Sequence, residues 1–362
     1  IVWYLYIVFI NVIKKKIKIG WIGSGFVGQV AHLNLFEDIS NAEIVALSEL
    51  RQSLGKKVIK KNFISNYYKD YREMLNNEIL DGVVLIVHRN HTAYFAEDIL
   101  KKKFNLFTEK PQAPTYDVAK KLVSIAKKNN LKYVSGLMRR HDDGIKYSKK
   151  VFNNLIKNKN LGKLIGAEFY CFAGGDYCDI GNYQKTSESR PTHKLCENYP
   201  DWLNKSNGKK YEEFLNVYIH DIDLINYFFG KNVKVINVNY SSEKMSFINM
   251  SANDIPILFK FRKLNSDHWA EGYSIIFEKG IIDVELKPAF LKNTSSSVNI
   301  KKLGKGGLIN DNFFENLSFN WSFKNQHLDF IKSISEKKYK PISSCADTLS
   351  SFEIVDQIFK KI

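Results

Sequence analysis

A short apolar run, Ile17-Lys18-Ile19-Gly20-Trp21-Ile22, passes straight into Gly23-x-Gly25-x-x-Gly28, and a helical pattern follows without a break. Val27, Val30, Ala31 and Leu35 recur at helix spacing and form one apolar face. A strand, a glycine turn and a helix in this order build a cradle for a dinucleotide pyrophosphate. Gly23 allows the tight turn, Gly25 lets the backbone approach the phosphates, and Gly28 lets the helix pack closely on its strand. Ser24, Phe26 and Val27 line the same turn, and the helix N-terminus presents unpaired N–H groups to the anion. Taken alone, the glycine pattern also fits a purely structural turn.

The next strand, over 42–48, delivers Glu49 at its C-terminal end. An acidic residue about 20 positions past the glycines is where a ribose 2′-hydroxyl is bound, and its charge repels a 2′-phosphate. Glu49 therefore favours NAD. NADP stays open because Arg51, two residues on, is able to take a phosphate; a solvated strand-end carboxylate is the plainer reading of Glu49. Helices are predicted over 53–61, 71–75, 92–102 and 115–129, with strands over 81–87, 104–108 and 132–135. This alternation predicts a parallel sheet covered on both faces. Ligands in such sheets sit beyond the strand C-terminal ends. That rule brings Gly23–Gly28, Glu49, His88–Asn90, Glu109-Lys110-Pro111 and Gly136–Arg140 to one cleft.

At 362 residues, with 44% hydrophobic and 14% aromatic residues, the chain suits two domains with substantial cores. We divide it into a dinucleotide-binding domain over 14–140 and an α+β domain with a large open, mainly antiparallel sheet over 141–362. The second domain is predicted to hold a connecting helix over 142–159, strands over 163–172, 233–240, 256–262, 272–277 and 281–286, and helices over 212–229, 323–335 and 343–360. The last helices are free to pack back on the first domain. Between 173 and 208 the pattern is irregular, and its Tyr177, Tyr183, Arg190 and Trp202 suit a substrate lid. On the 212–229 helix, Asn216, His220 and Asp223 share a face at i, i+4 and i+7. By pattern alone that stripe reads as a solvent face.

The formal charge of +16 comes from lysines scattered in short runs, with no arginine-rich arm or aromatic-and-basic motif. Nucleic acid is therefore not an expected partner, although the charge suits anionic small substrates. Ile1–Ile13 is almost wholly apolar but too short to span a bilayer, which needs about 20 residues. Its positive charges follow the apolar run rather than precede it, unlike a signal peptide. We expect this segment to be a non-native or disordered extension, with translation starting near Val12 or Ile13, and the protein to be cytoplasmic and not membrane-bound. Cys171, Cys178, Cys196 and Cys345 do not form a disulfide framework in a chain this long. Three of them flank His193, yet only His193-x-x-Cys196 approaches zinc-ligand spacing, so no metal is expected.

Glu109-Lys110-Pro111 follows directly on its strand. With the glycine turn, Glu49, Asn90, Gly136–Arg140 and the later Phe214-Leu215-Asn216-Val217-Tyr218-Ile219-His220-Asp221, it makes the chain resemble the Gfo/Idh/MocA family, which contains glucose–fructose oxidoreductase and inositol dehydrogenase. The resemblance covers most of residues 14–362. It implies an NAD(P)-dependent oxidoreductase acting on CH–OH groups of a sugar, nucleotide sugar or cyclic polyol, and a homo-oligomer, dimer or tetramer, joined through the second sheet. It also implies that Lys110 polarises the reacting oxygen, that His220 exchanges the hydroxyl proton, and that the residue four before His220 orients its ring. The family carries Asp there and this chain carries Asn216, which makes His220 a weaker base. Asp221 and Asp223 are placed to compensate. Cofactor contacts are expected from Gly23–Gly28, Glu49, Arg51, His88, Asn90, Glu109 and Lys110, and substrate contacts from Arg139, Arg140, Tyr183, Arg190, Trp202 and Asp223. A catalytically weakened NAD(P)-binding sensor or scaffold of the same fold is the alternative that Asn216 leaves open.

Overall fold

The computed structural model describes residues 16–175, 180–190, 198–304, 307–313 and 320–362. Its first sheet consists of β1 (Ile17–Ile22), β2 (Ala42–Ser48), β3 (Asn66–Tyr68), β4 (Gly82–Leu85), β5 (Asn105–Thr108) and β6 (Tyr133–Ser135). All pair parallel, in the order β3-β2-β1-β4-β5-β6. The order reverses between β1 and β4, which opens a crevice at their C-terminal ends. Helices α1 (Gln52–Lys61), α2 (Tyr71–Asn77), α3 (Arg89–Lys101) and α4 (Tyr116–Lys128) make the crossovers. Sequence dictates their ends. Thr115 caps α4 by accepting from Val118 N–H, while Asp117 in the first turn and Lys127 and Lys128 in the last complement the helix dipole.

The segment after the glycine turn is helical but not regular. Gly28–His32 forms a π turn and Leu33–Asp38 a 3₁₀ turn, with Leu33 N–H reaching back to Gly28 C=O. The wider π turn accommodates five consecutive buried residues, among them Gln29 and His32, which a solvated α-helix face would not bury.

The second sheet orders its strands β14-β13-β12-β11-β7-β10-β9-β8. They are β7 (Leu164–Ala173), β8 (Val233–Asn239), β9 (Ser246–Ala252), β10 (Ile255–Lys263), β11 (Ala270–Phe277), β12 (Gly280–Leu286), β13 (Ser297–Gly304) and β14 (Gly307–Phe313). Only β7 and β10 pair parallel. Alternation along the strands buries Phe169, Cys171, Phe259, Phe261, Tyr273 and Ile275 under α5 (Asp143–Asn158), α6 (Lys205–Val217) and α7 (Ile219–Phe229). Glu168, Lys260, Asp283 and Lys301 pair with one another on the other face, as Lys260–Glu168 and Lys301–Asp283.

Three predictions need correction. The helix predicted over 212–229 is two helices that meet at Tyr218, and α6 starts inside the stretch read as irregular. The helix predicted over 343–360 forms only as α9 (Leu349–Phe359), because Ser343 and Cys345 instead bond to the edge of β6 through Ser135 N–H and Tyr133 C=O. Strands β3, β9, β13 and β14 escaped notice, their Asn, Ser, Lys and Gly content diluting the β signal. Helix α8 (Ser322–Ser335) returns to the first sheet, where Phe330 and Ile331 share a cluster with Trp21, Val84 and Phe107. No helix among the described residues is long and apolar enough to cross a membrane.

Candidate active site

The glycine turn has the geometry its spacing predicts. Gly23 sits at φ +89°, and a Cβ there would lie 2.3 Å from Ile86 O. A Cβ on Gly28 would lie 3.3 Å from Gly23 O and 3.4 Å from an Ile86 methyl, which shows how closely this segment packs on the sheet. Gly25 differs. A Cβ there would meet nothing within 4 Å, so no protein contact demands a glycine, and the open approach suits a ligand against the backbone. The residues present therefore fit a pyrophosphate.

Glu49 is buried at the end of β2 and reaches back over the turn. Its Oε2 accepts from Ser24 N–H and Ser24 Oγ, each at 2.9 Å. Arg51 grips the same carboxylate through Nε at 2.8 Å and a terminal guanidinium nitrogen at 3.1 Å. Burial alone would raise this carboxyl, but the bonds from Arg51 and Ser24 outweigh it and hold the group below its ordinary range, hence ionised. Arg51, read as able to take a phosphate, is thus already engaged with Glu49.

Lys110 follows β5, and its peptide bond to Pro111 is cis. Its ammonium is buried and donates to the main-chain oxygen of Asn216 at 2.5 Å. That carbonyl is free because α6 ends one residue later, leaving its last carbonyls without helical partners. Burial lowers the Lys110 pKa; Glu109 opposes the shift and Arg89 adds to it. His220, in the first turn of α7, is held well below its ordinary value by burial and then by the charges of Lys110 and Arg139. The lysine and the imidazole thus lie within electrostatic reach of each other, although they are distant in sequence. No hydrogen bond joins the Asn216 amide to the His220 ring, and His220 Nδ1 is buried without a partner. The expectation that Asn216 orients His220 is therefore corrected: its contact to the site is a carbonyl offered to Lys110.

Glu109 turns inward. One oxygen lies 3.1 Å from His32 Nε2 and the other accepts from Lys110 N–H at 3.1 Å. His32 Nδ1 in turn lies 2.9 Å from His327 Nε2 on α8, and both imidazoles are fully buried. His88 caps α3 by accepting from Asn90 N–H, and burial, then neighbouring charges including Arg190, lower its pKa. Arg190 is exposed and lies within electrostatic reach of His88.

Several expected substrate contacts prove to be architectural. Arg140 makes a buried two-pronged pair with Asp223, at 2.6 and 2.7 Å, which Ser351 of α9 completes at 2.9 Å. Arg139 is buried against Glu271 and donates to Lys287 O at 2.7 Å. Asp221 is buried near Glu271 and Cys171, and burial followed by the Glu271 charge raises its carboxyl, so neither Asp221 nor Asp223 serves His220. Trp202 lies under Lys360, just past the C-terminal end of α9. Tyr183 packs edge-on against Phe26 of the glycine turn, with ring centroids 5.2 Å apart. Tyr177, Cys178, His193 and Cys196 fall outside the described residues. Among the described residues Cys171 and Cys345 are buried free thiols, and no group of three or more His, Cys, Asp or Glu is arranged to hold a metal.

A parallel sheet with a glycine turn at its reversal point, joined to a second, mainly antiparallel sheet whose helices carry His220, defines a dinucleotide-binding type of architecture. Residues 17–137 match the model of the oxidoreductase family with an NAD-binding Rossmann fold, GFO_IDH_MocA. Over these residues the chain is similar to that family. It is 24% identical over 219 residues to a myo-inositol 2-dehydrogenase of Thermotoga maritima, covering 60% of this chain and 57% of that protein. An inositol 2-dehydrogenase of Salmonella typhimurium is 26% identical over 149 residues, covering 41% of this chain and 43% of that protein. The chain therefore spans about half the length of these curated relatives. A 3-ketoreductase from Actinomadura kijaniata, solved with TDP-benzene and NADP, superposes with a TM-score of 0.71 at 12% identity, covering 96% of this chain and 98% of that one.

Proposed function

We propose that this protein is an NAD(P)-dependent dehydrogenase or reductase that moves a hydride between a CH–OH carbon of a sugar, nucleotide sugar or cyclic polyol and a nicotinamide. The Lys110 ammonium, past the same sheet edge as the glycine turn and within electrostatic reach of the His220 imidazole, carries this reading. The turn amides of Gly23–Gly28 would hold the pyrophosphate and Glu49 the adenosine ribose, which favours NAD. When bound, the nicotinamide supplies the hydride acceptor or donor. Lys110 donates a hydrogen bond to the reacting oxygen and stabilises its developing negative charge. His220, neutral at ordinary pH, takes the hydroxyl proton in the oxidative direction. In the reductive direction the same proton returns to the oxygen from the His220 imidazolium, while Lys110 keeps its own proton and its hydrogen bond to that oxygen. Arg190 remains the candidate for an anionic part of the substrate. The ion-paired outer face of the second sheet is the surface we assign to self-association.

Incubation with NAD or NADH and a panel of sugars, cyclic polyols, nucleotide sugars and their keto forms, followed by absorbance of the reduced cofactor, tests the proposal. Turnover on at least one class is expected. Cofactor binding without turnover on any would favour the sensor or scaffold, a reading to which the unpartnered His220 Nδ1 lends support.

A further inference from the structure

Between β7 and α6 the chain leaves the second sheet, and residues 180–190 lie across the first domain. The segment is tied down at several points. Gln184 N–H donates to Gln29 Oε1 at 2.8 Å, and Gln29 Nε2 returns a bond to Gln184 O at 3.1 Å. Lys61 Nζ donates to Asn182 O at 2.8 Å and Lys57 Nζ to Lys185 O at 3.1 Å, both from α1. Glu188 then places its carboxylate on the first turn of α1, accepting from Ser53 N–H and Leu54 N–H at 3.1 Å each. Thr186 Oγ1 donates to the same carboxylate at 3.0 Å.

We propose that Glu188 is a cofactor-selectivity residue, a second carboxylate that excludes a 2′-phosphate from the end of β2. This rests on the proposed reading of the glycine turn and Glu49 as the dinucleotide site. In that reading the adenosine 2′ position faces Glu49, and a phosphate there needs positive partners close by. The local candidates are the Arg51 guanidinium and the free N–H groups opening α1, since no side chain of α1's own N-cap residue satisfies them. Both are already matched with carboxylate: Arg51 by Glu49 and the α1 N–H groups by Glu188. The Arg51 charge also reaches Glu188, whose carboxyl is held below its ordinary value first by the Ser53 N–H bond. A 2′-phosphate would have to displace one carboxylate while repelling the other. A 2′-hydroxyl meets no such conflict. The segment carrying Glu188 belongs to the second domain's chain, so selectivity is set by two residues 139 positions apart, Glu49 and Glu188.

Titration of the full chain with NAD+ and NADP+ separately, by calorimetry, tests this in the unmodified protein, Glu188→Gln, Glu49→Ser and the double variant. Glu188→Gln keeps an acceptor for α1 but removes the charge. We expect it to shift the NADP+/NAD+ affinity ratio towards NADP+ by about five- to tenfold. The double variant is expected to shift the ratio further than either single change. An unchanged ratio in Glu188→Gln, including a parallel loss of affinity for both cofactors, would overturn the inference and leave the dinucleotide site standing. Failure of the unmodified protein to bind either cofactor would overturn the dinucleotide reading and this inference with it.

Discussion

Lys110 and His220 are two basic groups whose surroundings both disfavour positive charge, and this sets their pH behaviour. Burial lowers each, and neighbouring cations add to it, Arg89 at Lys110 and then Lys110 and Arg139 at His220. In the proposed mechanism the lysine keeps its proton to polarise an oxygen, so activity is expected to fall as pH rises through its pKa, which lies below the usual 10.5. In the same proposal the imidazole is neutral to accept a proton, so activity is expected to fall on the acid side only well below 6.5. A kcat/KM profile with a displaced alkaline limb is expected, and Lys110→Arg should push that limb upward because a guanidinium holds its proton. Replacing either residue by Ala is expected to lower turnover by about 10²–10⁴-fold, with far smaller effects on NAD+ affinity. Undiminished turnover in both variants would remove these roles. Arg140 and Asp223 belong to a different class. Asp223→Asn leaves a buried guanidinium without its counter-charge and should cost about 3–5 kcal/mol of stability in denaturant unfolding. KM for any substrate should stay near that of the unmodified protein. These residues were misread from sequence because a charged side chain in an apolar segment does not disclose whether its partner is a ligand or another part of the chain.

Elements were legible where chemistry is local to a strand end. Gly23 and Glu49 follow directly on a buried parallel strand and Lys110 lies two residues past the end of β5, so the sheet rule sets them at one edge without knowledge of packing. The π turn at Gly28–His32 was not legible, since it depends on His32 finding Glu109 and, 295 residues later, His327. Tyr218 interrupts the predicted helix for the same kind of reason: the carbonyl it exposes finds Lys110, which the periodicity of 212–229 could not reveal. Glu188 carries no motif at all; only the path of the 180–190 segment gives it a role. The turn after β6 offers a test at this scale. A Cβ on Gly136 would sit 2.6 Å from Glu109 Oε1, so Gly136→Ala must displace the carboxylate that His32 and Lys110 N–H hold. Crowding of this kind costs about 1–3 kcal/mol. If Glu109 positions Lys110, kcat should fall by about tenfold or more while the thermal midpoint moves by only a few degrees. An unchanged kcat would show that Glu109 has no part in holding the lysine.

At the scale of the whole molecule, the division at residue 140 does not describe how the core is completed. Phe330 and Ile331 of α8 are fully buried with Trp21, Val84 and Phe107, and Ile334 lies over Gly82. The strap 343–345 bonds to the edge of β6, and Tyr116 and Tyr211 donate to Glu353 and Asp356 of α9. The sequence predicted these last helices and left them free to pack back on the first domain, but could not say which of their side chains complete its core. A fragment ending at His141 would therefore expose one face of its sheet. Loss of each large buried side chain withdraws about 1.5–3 kcal/mol, and two of them remove much of a small domain's margin. Such a fragment is expected to aggregate or to bind a hydrophobic dye, without a cooperative melt. Rejoining residues 320–362 to it through a flexible linker should restore a cooperative transition and NAD+ binding, because the missing face and the β6 edge are then supplied in the same chain. A fragment that melts cooperatively on its own would show that the first sheet is stable without α8, and that the return of the chain serves the placement of His327 beside His32 rather than the core.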